Sequence, residues 1–530
     1  MLRRKASLGT VADTIVPYST RQKLTVAGRR HRLIEAIVRS KTQTSARRQI
    51  GLEHRPLVTA VGVKLHQKRI PSEHRPSARG VAVRDVGRMH NRQHQPILSK
   101  PIQGRCAQSV LSYAIARRLI RENGMIRRSC TVLMGALGYL LFAICSAQAD
   151  TRETARIQAA LDSWLAARAG PEHVTGVAAY VSFGDVRPSV EAFAGRVGTA
   201  PNAPPVDRST LFQMGSTSKS FAAAILLKLE AQGRLSLNDT VGGWLPEYPA
   251  WKDVTLRRLL NMTSGIPNYS ETEAMSQIWI NEPEHTFTAA ELVNLAYPTG
   301  GPHDLPQTSG YHYSNTNYVL ASMVSEKATG RPYGDVVQDW IITAYGLQAT
   351  FYELGDYPAG VVRRLASGYF ANPACTDYQP NCKQSWNSPL MGRDVRGMST
   401  SWAQAAGGAI ASVSDVDHWM RAVFTGQVVP ARQQAEWMAL VSMGTGLPIA
   451  DVSPGDSHGF ALGLGRGILG PFGAQWFYEG MTLGYRTLYV WFADRNLMIT
   501  VQTNSQPAAG ENKLNELVTA IYAVVTEPDK

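Results

Sequence analysis

The chain has 530 residues, 44% hydrophobic, 18% charged and 8% aromatic, which suits a sizeable core and excludes a wholly disordered or collagen-like chain. Its net charge of +13 is unevenly spread: residues 1–149 carry +22 and residues 150–530 carry −9. The body is acidic, so nucleic-acid binding by the body loses its electrostatic support.

Residues 1–124 are rich in Arg, Gln and His and show no sustained helical or alternating period. Met125-Ile126-Arg127-Arg128 then leads into an uncharged apolar run, Val132 to Ile144, ending in Ala147-Gln148-Ala149. A positive start, a short apolar run and small residues at the end predict a secretory signal peptide over 125–149, with a mature start at Asp150. The protein is thus expected in the periplasm or outside the cell. The alternative is an uncleaved membrane anchor over 129–149. Residues 1–124 read as a start assigned too far upstream, or as a disordered basic extension. Of the five cysteines, the mature chain keeps Cys375 and Cys382, and an oxidising compartment predicts a disulfide between them. Two free thiols are the other option. Two Cys without a matching His pair make no zinc site.

Ile157, Leu161, Trp164 and Leu165 recur at helical spacing, predicting an amphipathic helix over 152–168. Val177–Phe183 reads as a strand, with Glu191–Val197 its hairpin partner. A largely apolar helix opens near Ser216 and stops at Gly233. Short helices and polar loops follow to about residue 420, with one longer helical stretch from Tyr318 to Ala328. Arg486–Phe492 and Leu497–Thr503 form a hairpin, and Leu514, Leu517, Val518, Ile521 and Val525 mark a C-terminal helix. Strands at both ends suggest one sheet built from the two termini, with a helical region inserted.

Three signals carry chemistry. The first is Ser216-Thr217-Ser218-Lys219, the one S-x-x-K of the chain. Positions i and i+3 share a helix face, so the lysine reaches the serine hydroxyl, and if buried it is disfavoured as an ammonium and can act as a base. Such a motif arises by chance about once in a chain of this composition, and an ordinary helix cap is the bland reading. The second is Tyr313-Ser314-Asn315: a phenol beside an ammonium has a depressed pKa and can relay protons, and the Asn amide can face both a lysine and a substrate carbonyl. The third is the glycine-rich run Tyr478-Glu479-Gly480-Met481-Thr482-Leu483-Gly484-Tyr485, where Gly480 would let a backbone approach a ligand and the N–H groups of Met481 and Ser216 would form an oxyanion hole. His312 reads as a loop residue, Asp415 and Asp417 as helix caps, and Trp386 and Trp402 as core, with lining a pocket as the other option. His458 suggests no role.

In order and spacing these signals resemble the serine β-lactamase-related family of class C β-lactamases, D-alanyl-D-alanine carboxypeptidases, D-aminopeptidases and related esterases. Supporting segments are Leu211–Ser216, Leu256–Pro267 and Gly407–Ser412, and the similarity covers most of residues 155–525. The resemblance implies an α/β (α+β) fold, with an antiparallel sheet flanked by helices and an inserted helical region. It implies an acyl-enzyme on Ser216, with Lys219 and Tyr313 passing the proton, Asn315 holding the substrate amide, and no metal or organic cofactor. One departure stands out. Where the family usually has Lys-Thr-Gly, or His or Trp in the first place, this chain has Tyr478-Glu479-Gly480. The missing cation would meet a substrate carboxylate. Arg486, eight residues from Tyr478 and on the same face if one strand runs through both, is the candidate substitute.

The leading expectation is therefore a D-alanyl-D-alanine carboxypeptidase-like peptidase acting on small peptides, peptidoglycan stem peptides among them. A carboxylesterase on the same scaffold comes next, then a class C-like β-lactamase. A non-catalytic binding protein fits poorly with four intact motif residues.

Overall fold

The computed structural model describes residues 129–184, 187–301, 304–372 and 390–527. The basic leader, residues 125–128, Trp386, and the Cys375–Cys382 pair lie outside the described residues. Five principal helices frame the molecule: α1 (Ser129–Glu172), α2 (Lys219–Ala231), α3 (Thr316–Thr329), α4 (Val413–Phe424) and α5 (Leu514–Thr526). Residues 129–149 of the expected signal segment are helical, as the first part of α1. Among the residues whose side chains are described, no helix is long and apolar enough to cross a membrane.

Nine strands make one sheet: β1 (Gly176–Ser182), β2 (Val190–Gly195), β3 (Leu440–Ser442), β4 (Pro448–Ile449), β5 (His458–Phe460), β6 (Gly465–Ile468), β7 (Ala474–Met481), β8 (Arg486–Phe492) and β9 (Leu497–Thr503). Their spatial order is β2-β1-β9-β8-β7-β6-β5-β3-β4, antiparallel throughout. The expected strands at the two ends of the chain are neighbours here, with Ala179 opposite Val501. Strand β1 shows why: Val177, Ala179 and Val181 join one core while Ala178 and Tyr180 join the other, so both faces of the strand are covered. One face packs on α1 and α5 through Ile157, Leu161, Leu517 and Ile521. The other meets the helical region, including α4 and α2.

Helix α2 is buried almost all round, from Phe221 to Leu227 and at Leu229. Such a helix belongs at the centre of a large domain, and each fully buried Leu or Ile there contributes roughly 1.5–3 kcal/mol from removal of apolar surface from water. It is fed by a short strand, Phe212–Gln213, paired with Ile410–Ala411. Met214 N then donates to the Ala409 carbonyl at 2.8 Å, tying the chain down just before Ser216.

The structure departs from the sequence reading after residue 430. Strands β3 to β6 were hidden in short, glycine-broken runs. The stretch from Tyr478 past Arg486 is two strands, because Thr482 N donates to the Tyr485 carbonyl at 3.0 Å and closes a turn. Asp417 is no cap. It is buried in α4, where its carboxylate accepts from Ser182 Oγ at 2.5 Å and Thr500 Oγ1 at 3.1 Å, pinning the helix to the sheet. Ser412 is the cap, accepting from Asp415 N. Asp415 instead accepts from Ala349 N and Thr350 Oγ1.

Candidate active site

Ser216 sits on a single 3-10 turn, Gly215–Ser218, that runs directly into α2. In a 3-10 turn positions i and i+3 eclipse, so Lys219 lies over Ser216 more directly than an α-helix would place it. Gly215 starts the turn at φ +55°, a region closed to most side chains. It is also pressed against β7: a Cβ on Gly215 would lie 2.6 Å from Met481 N. A Cβ on Gly480 would lie 2.0 Å from the Met214 carbonyl and 2.9 Å from Ser216 N. The two glycines let two backbones touch, with the Ser216 and Met481 nitrogens both beside that contact. Two donors side by side are what the oxyanion hole expected from the sequence would need.

Lys219 is fully buried. Its Nζ lies 3.1 Å from Ser216 Oγ, 2.6 Å from Tyr313 Oη, 2.7 Å from Asn315 Oδ1 and 2.7 Å from the Ala406 carbonyl. An ammonium has three N–H donors, and the two carbonyl-type oxygens can only accept. A neutral amine would give both its N–H groups to Asn315 and Ala406, leaving a lone pair toward the two hydroxyls. Burial pushes the Lys219 pKa well below its usual range, favouring that neutral form. No carboxylate is among the amine's hydrogen-bond partners; the carbonyl acceptors and the Tyr313 and Tyr318 ring faces, 4.7 and 5.4 Å away, favour the charged form, and burial acts against it.

Tyr313 Oη lies 2.5 Å from Ser216 Oγ. The expected depressed tyrosine pKa is corrected by the structure. Burial raises it to about 12, outweighing the hydrogen bonds from Ser216 and Tyr478 that act the other way. The lysine it faces is itself held toward neutrality, so the cation that would have lowered the phenol is weakened. Burial thus favours the neutral phenol at Tyr313 and, at Lys219, the form with a lone pair free to accept a proton. The phenol bridges serine and lysine and can hand a proton onward.

The motif Tyr313-Ser314-Asn315 enters α3 and is braced by residues 262–270. His312 N donates to the Met262 carbonyl at 2.8 Å, and Ser314 Oγ and Thr316 Oγ1 both donate to the Pro267 carbonyl. Asn268 Oδ1 accepts from Asn315 N at 3.0 Å and from Ser270 Oγ at 3.0 Å. Asn315 Nδ2 reaches Ser270 Oγ at 3.2 Å. The Asn315 amide thus links Lys219 to this loop, on the side of the site where it was expected to hold a substrate amide. Sequence reasoning missed Asn268, Ser270 and the Ala406 carbonyl. Asn268-Tyr269-Ser270 directly follows the segment Leu256–Pro267 and was legible as its continuation; a backbone carbonyl leaves no side-chain signature.

Tyr478 closes the other side. Its hydroxyl faces that of Tyr313, and its ring packs edge-on to Phe460 at 5.6 Å, which in turn meets Tyr311 at 5.7 Å. Glu479 faces away from the serine, accepting from Asn512 Nδ2 at 2.9 Å, and burial raises its pKa. Arg486 is not a substrate ligand. It lies opposite Met481 across the turn, so its parity with Tyr478 is reversed, and it is fully buried with Glu172 at 2.6 Å. Trp402 packs edge-on to Trp279 at 5.0 Å, as a core residue would. His312 is half-buried in its loop, and burial lowers its pKa.

The Beta-lactamase family model matches residues 161–523, and the chain belongs to that family. It is a serine hydrolase of the β-lactamase-related type, on a β-lactamase/transpeptidase-like fold. Among similar proteins are Penicillin-binding protein 4* of Bacillus subtilis (strain 168), 35% identical over 147 residues, covering 28% of this chain and 31% of that protein. Esterase EstB of Burkholderia gladioli is 30% identical over 154 residues, covering 27% of this chain and 39% of that one. Each of these matches spans well under half of the relative's own length. A D-stereospecific amidohydrolase from Streptomyces sp. superposes with a TM-score of 0.53 at 27% identity, covering 69% of this chain and 98% of that structure. The D-amino acid amidase of Ochrobactrum anthropi SV3, at 22% identity and a TM-score of 0.57, shares the fold.

Proposed function

We propose that the protein hydrolyses esters, or amides, whose leaving side carries no carboxylate, through an acyl-enzyme on Ser216. The observation that carries this reading is Tyr478. It stands where the family's cation would meet a carboxylate, and it offers only a neutral hydroxyl facing Tyr313 within an aromatic wall of Tyr311 and Phe460. Arg486, the sequence's substitute for that cation, is paired with Glu172 on the opposite face. Lys219 takes the Ser216 proton as the hydroxyl attacks the acyl carbonyl. The N–H groups of Ser216 and Met481 hold the oxyanion, and Tyr313 passes the proton to the leaving oxygen or nitrogen. Water then attacks the acyl-enzyme, its proton returning through the same groups.

A second reading, the D-alanyl-D-alanine carboxypeptidase placed first on sequence grounds, is supported by the 35% identity to Penicillin-binding protein 4* over 147 residues. The signal-like segment 125–149 supports a periplasmic or extracellular location in either case. The test is a substrate panel on residues 150–530: p-nitrophenyl butyrate, a D-Ala-D-Ala peptide and penicillin G, with Ser216→Ala as control. Turnover of the ester well above the peptide, lost in the control, is expected. Preferential release of D-alanine, or a stable penicillin adduct, would replace the first reading with the second.

A further inference from the structure

Behind the oxyanion strand lies a buried polar network for which the hydrolytic groups have no direct use. The Arg486 guanidinium is fully buried. Its Nη2 stands 2.6 Å from Glu172 Oε2, its Nε donates to the Ser505 carbonyl at 2.9 Å, and its Nη1 donates to Asn512 Oδ1 at 2.6 Å. Glu172, also fully buried, accepts from Arg168 Nε at 2.8 Å and from Lys513 N at 3.0 Å. Asn512 passes the connection on, donating from Nδ2 to Glu479 Oε1 at 2.9 Å. The end of α1, the start of α5, the segment Ser505–Pro507 and strands β7 and β8 are thereby joined through one arginine.

A buried ion pair is a poor device for stability, because desolvating both charges offsets much of their attraction. Its location suggests another use. Arg486 is the residue directly across the ladder from Met481, and Glu479 is the immediate neighbour of Gly480. On the opposite face of the same two strands, Thr487 Oγ1 donates to the Gln213 carbonyl at 3.1 Å, just upstream of the Ser216 turn. The end of β7 is held from behind by the arginine network and seated in front against the nucleophile's turn.

We propose that Arg486 is a positioning residue for the oxyanion hole: through Asn512–Glu479 and its pairing with Met481, it fixes the distance between the Gly480–Met481 backbone and Ser216. This rests on the acyl-enzyme reading above. A guanidinium suits the task because its planar fork holds several acceptors in fixed directions, whereas an ammonium would hold them loosely.

The test uses the full chain and p-nitrophenyl butyrate. Arg486→Lys keeps the charge and loses the fork. Glu172→Gln with Arg486→Met removes the ion pair, and Glu479, which burial already pushes toward its neutral form, can take up a proton once its cation is gone; circular dichroism confirms the fold of this second variant should Arg486→Met alone fail to fold. In both, kcat per folded molecule should drop roughly 10- to 100-fold, with KM within about twofold. Adding Gly480→Ala to Arg486→Lys should cost little beyond Gly480→Ala alone, since both displace the same strand. Unchanged kcat in the folded variants, or fully additive losses, would overturn the proposal while leaving the hydrolase reading intact. Absence of both ester turnover and a fluorophosphonate adduct on Ser216 in the parent protein would instead overturn the hydrolase reading, and this inference with it.

Discussion

Replacing Gly480 by alanine tests the geometry of the site with a single methyl group. The new Cβ would lie 2.0 Å from the Met214 carbonyl and 2.9 Å from both Ser216 N and Thr217 N. All three are backbone atoms, so no flexible side chain can swing away. Restoring an ordinary contact of 3.4 Å to the carbonyl requires the strand and the turn to part by about 1.4 Å. A hydrogen bond of about 2.9 Å stretched by that amount is no longer a hydrogen bond. The substitution should therefore act as the removal of one oxyanion donor, lowering kcat ~10²–10³-fold, or about 2.7–4 kcal/mol of transition-state stabilisation. Lys219 and Tyr313 lie on other elements, so the pH at which activity rises should not move. The assay is steady-state hydrolysis of p-nitrophenyl butyrate across pH, with circular dichroism to confirm folding. A folded Gly480→Ala protein within threefold of the parent in kcat would refute the oxyanion assignment.

The remaining expectations concern the proton-transfer groups and the buried acid. Lys219→Met should lower kcat/KM at least ~10³-fold, since it removes the base, yet leave the thermal midpoint equal or higher because a buried amine is gone; a drop under tenfold would assign the base elsewhere. In the parent protein kcat/KM should rise with pH on one ionisation well below 10.5, as Lys219 loses its proton, and show no fall from Tyr313 until near pH 12. A descending limb at pH 8–9 that Tyr313→Phe abolishes would show that the phenol is not held neutral. Burial raises the Asp417 pKa from 3.8 to about 7, so the folded protein prefers the neutral acid. The stability this group supplies is complete below pH 4, is lost as pH rises toward 7, and stays lost above it. Asp417→Asn should then stabilise the protein at pH 8 by on the order of 2–4 kcal/mol and by almost nothing at pH 4; thermal melts at the two pH values decide it.

Much of the site was legible before the fold. Ser216 and Lys219 are three residues apart, and any helical turn brings them together whatever surrounds it. Gly480 signalled a close backbone approach in the sequence; that Gly215 meets it from the other side is seen only in the fold. The strands at the two ends of the chain were readable from their continuous apolar runs, which both-face burial produces. Residues 440–468 were not, since their strands are two to four residues long and broken by glycine, too short for any period to show.

The sequence was enough to pick out Ser216, Lys219, Tyr313 and Asn315, which the fold brings into contact, and the family's sheet with its inserted helices. These follow from local spacing and from order along the chain. Only the fold shows how burial bears on Lys219 and Tyr313, and where Arg486 lies. The protonation of Lys219 and Tyr313 depends on how completely other segments exclude water from them, a quantity no local pattern encodes. The side of the sheet that Arg486 faces turned on one hydrogen bond, from Thr482 N to the Tyr485 carbonyl, which ends a strand and reverses the parity of everything after it.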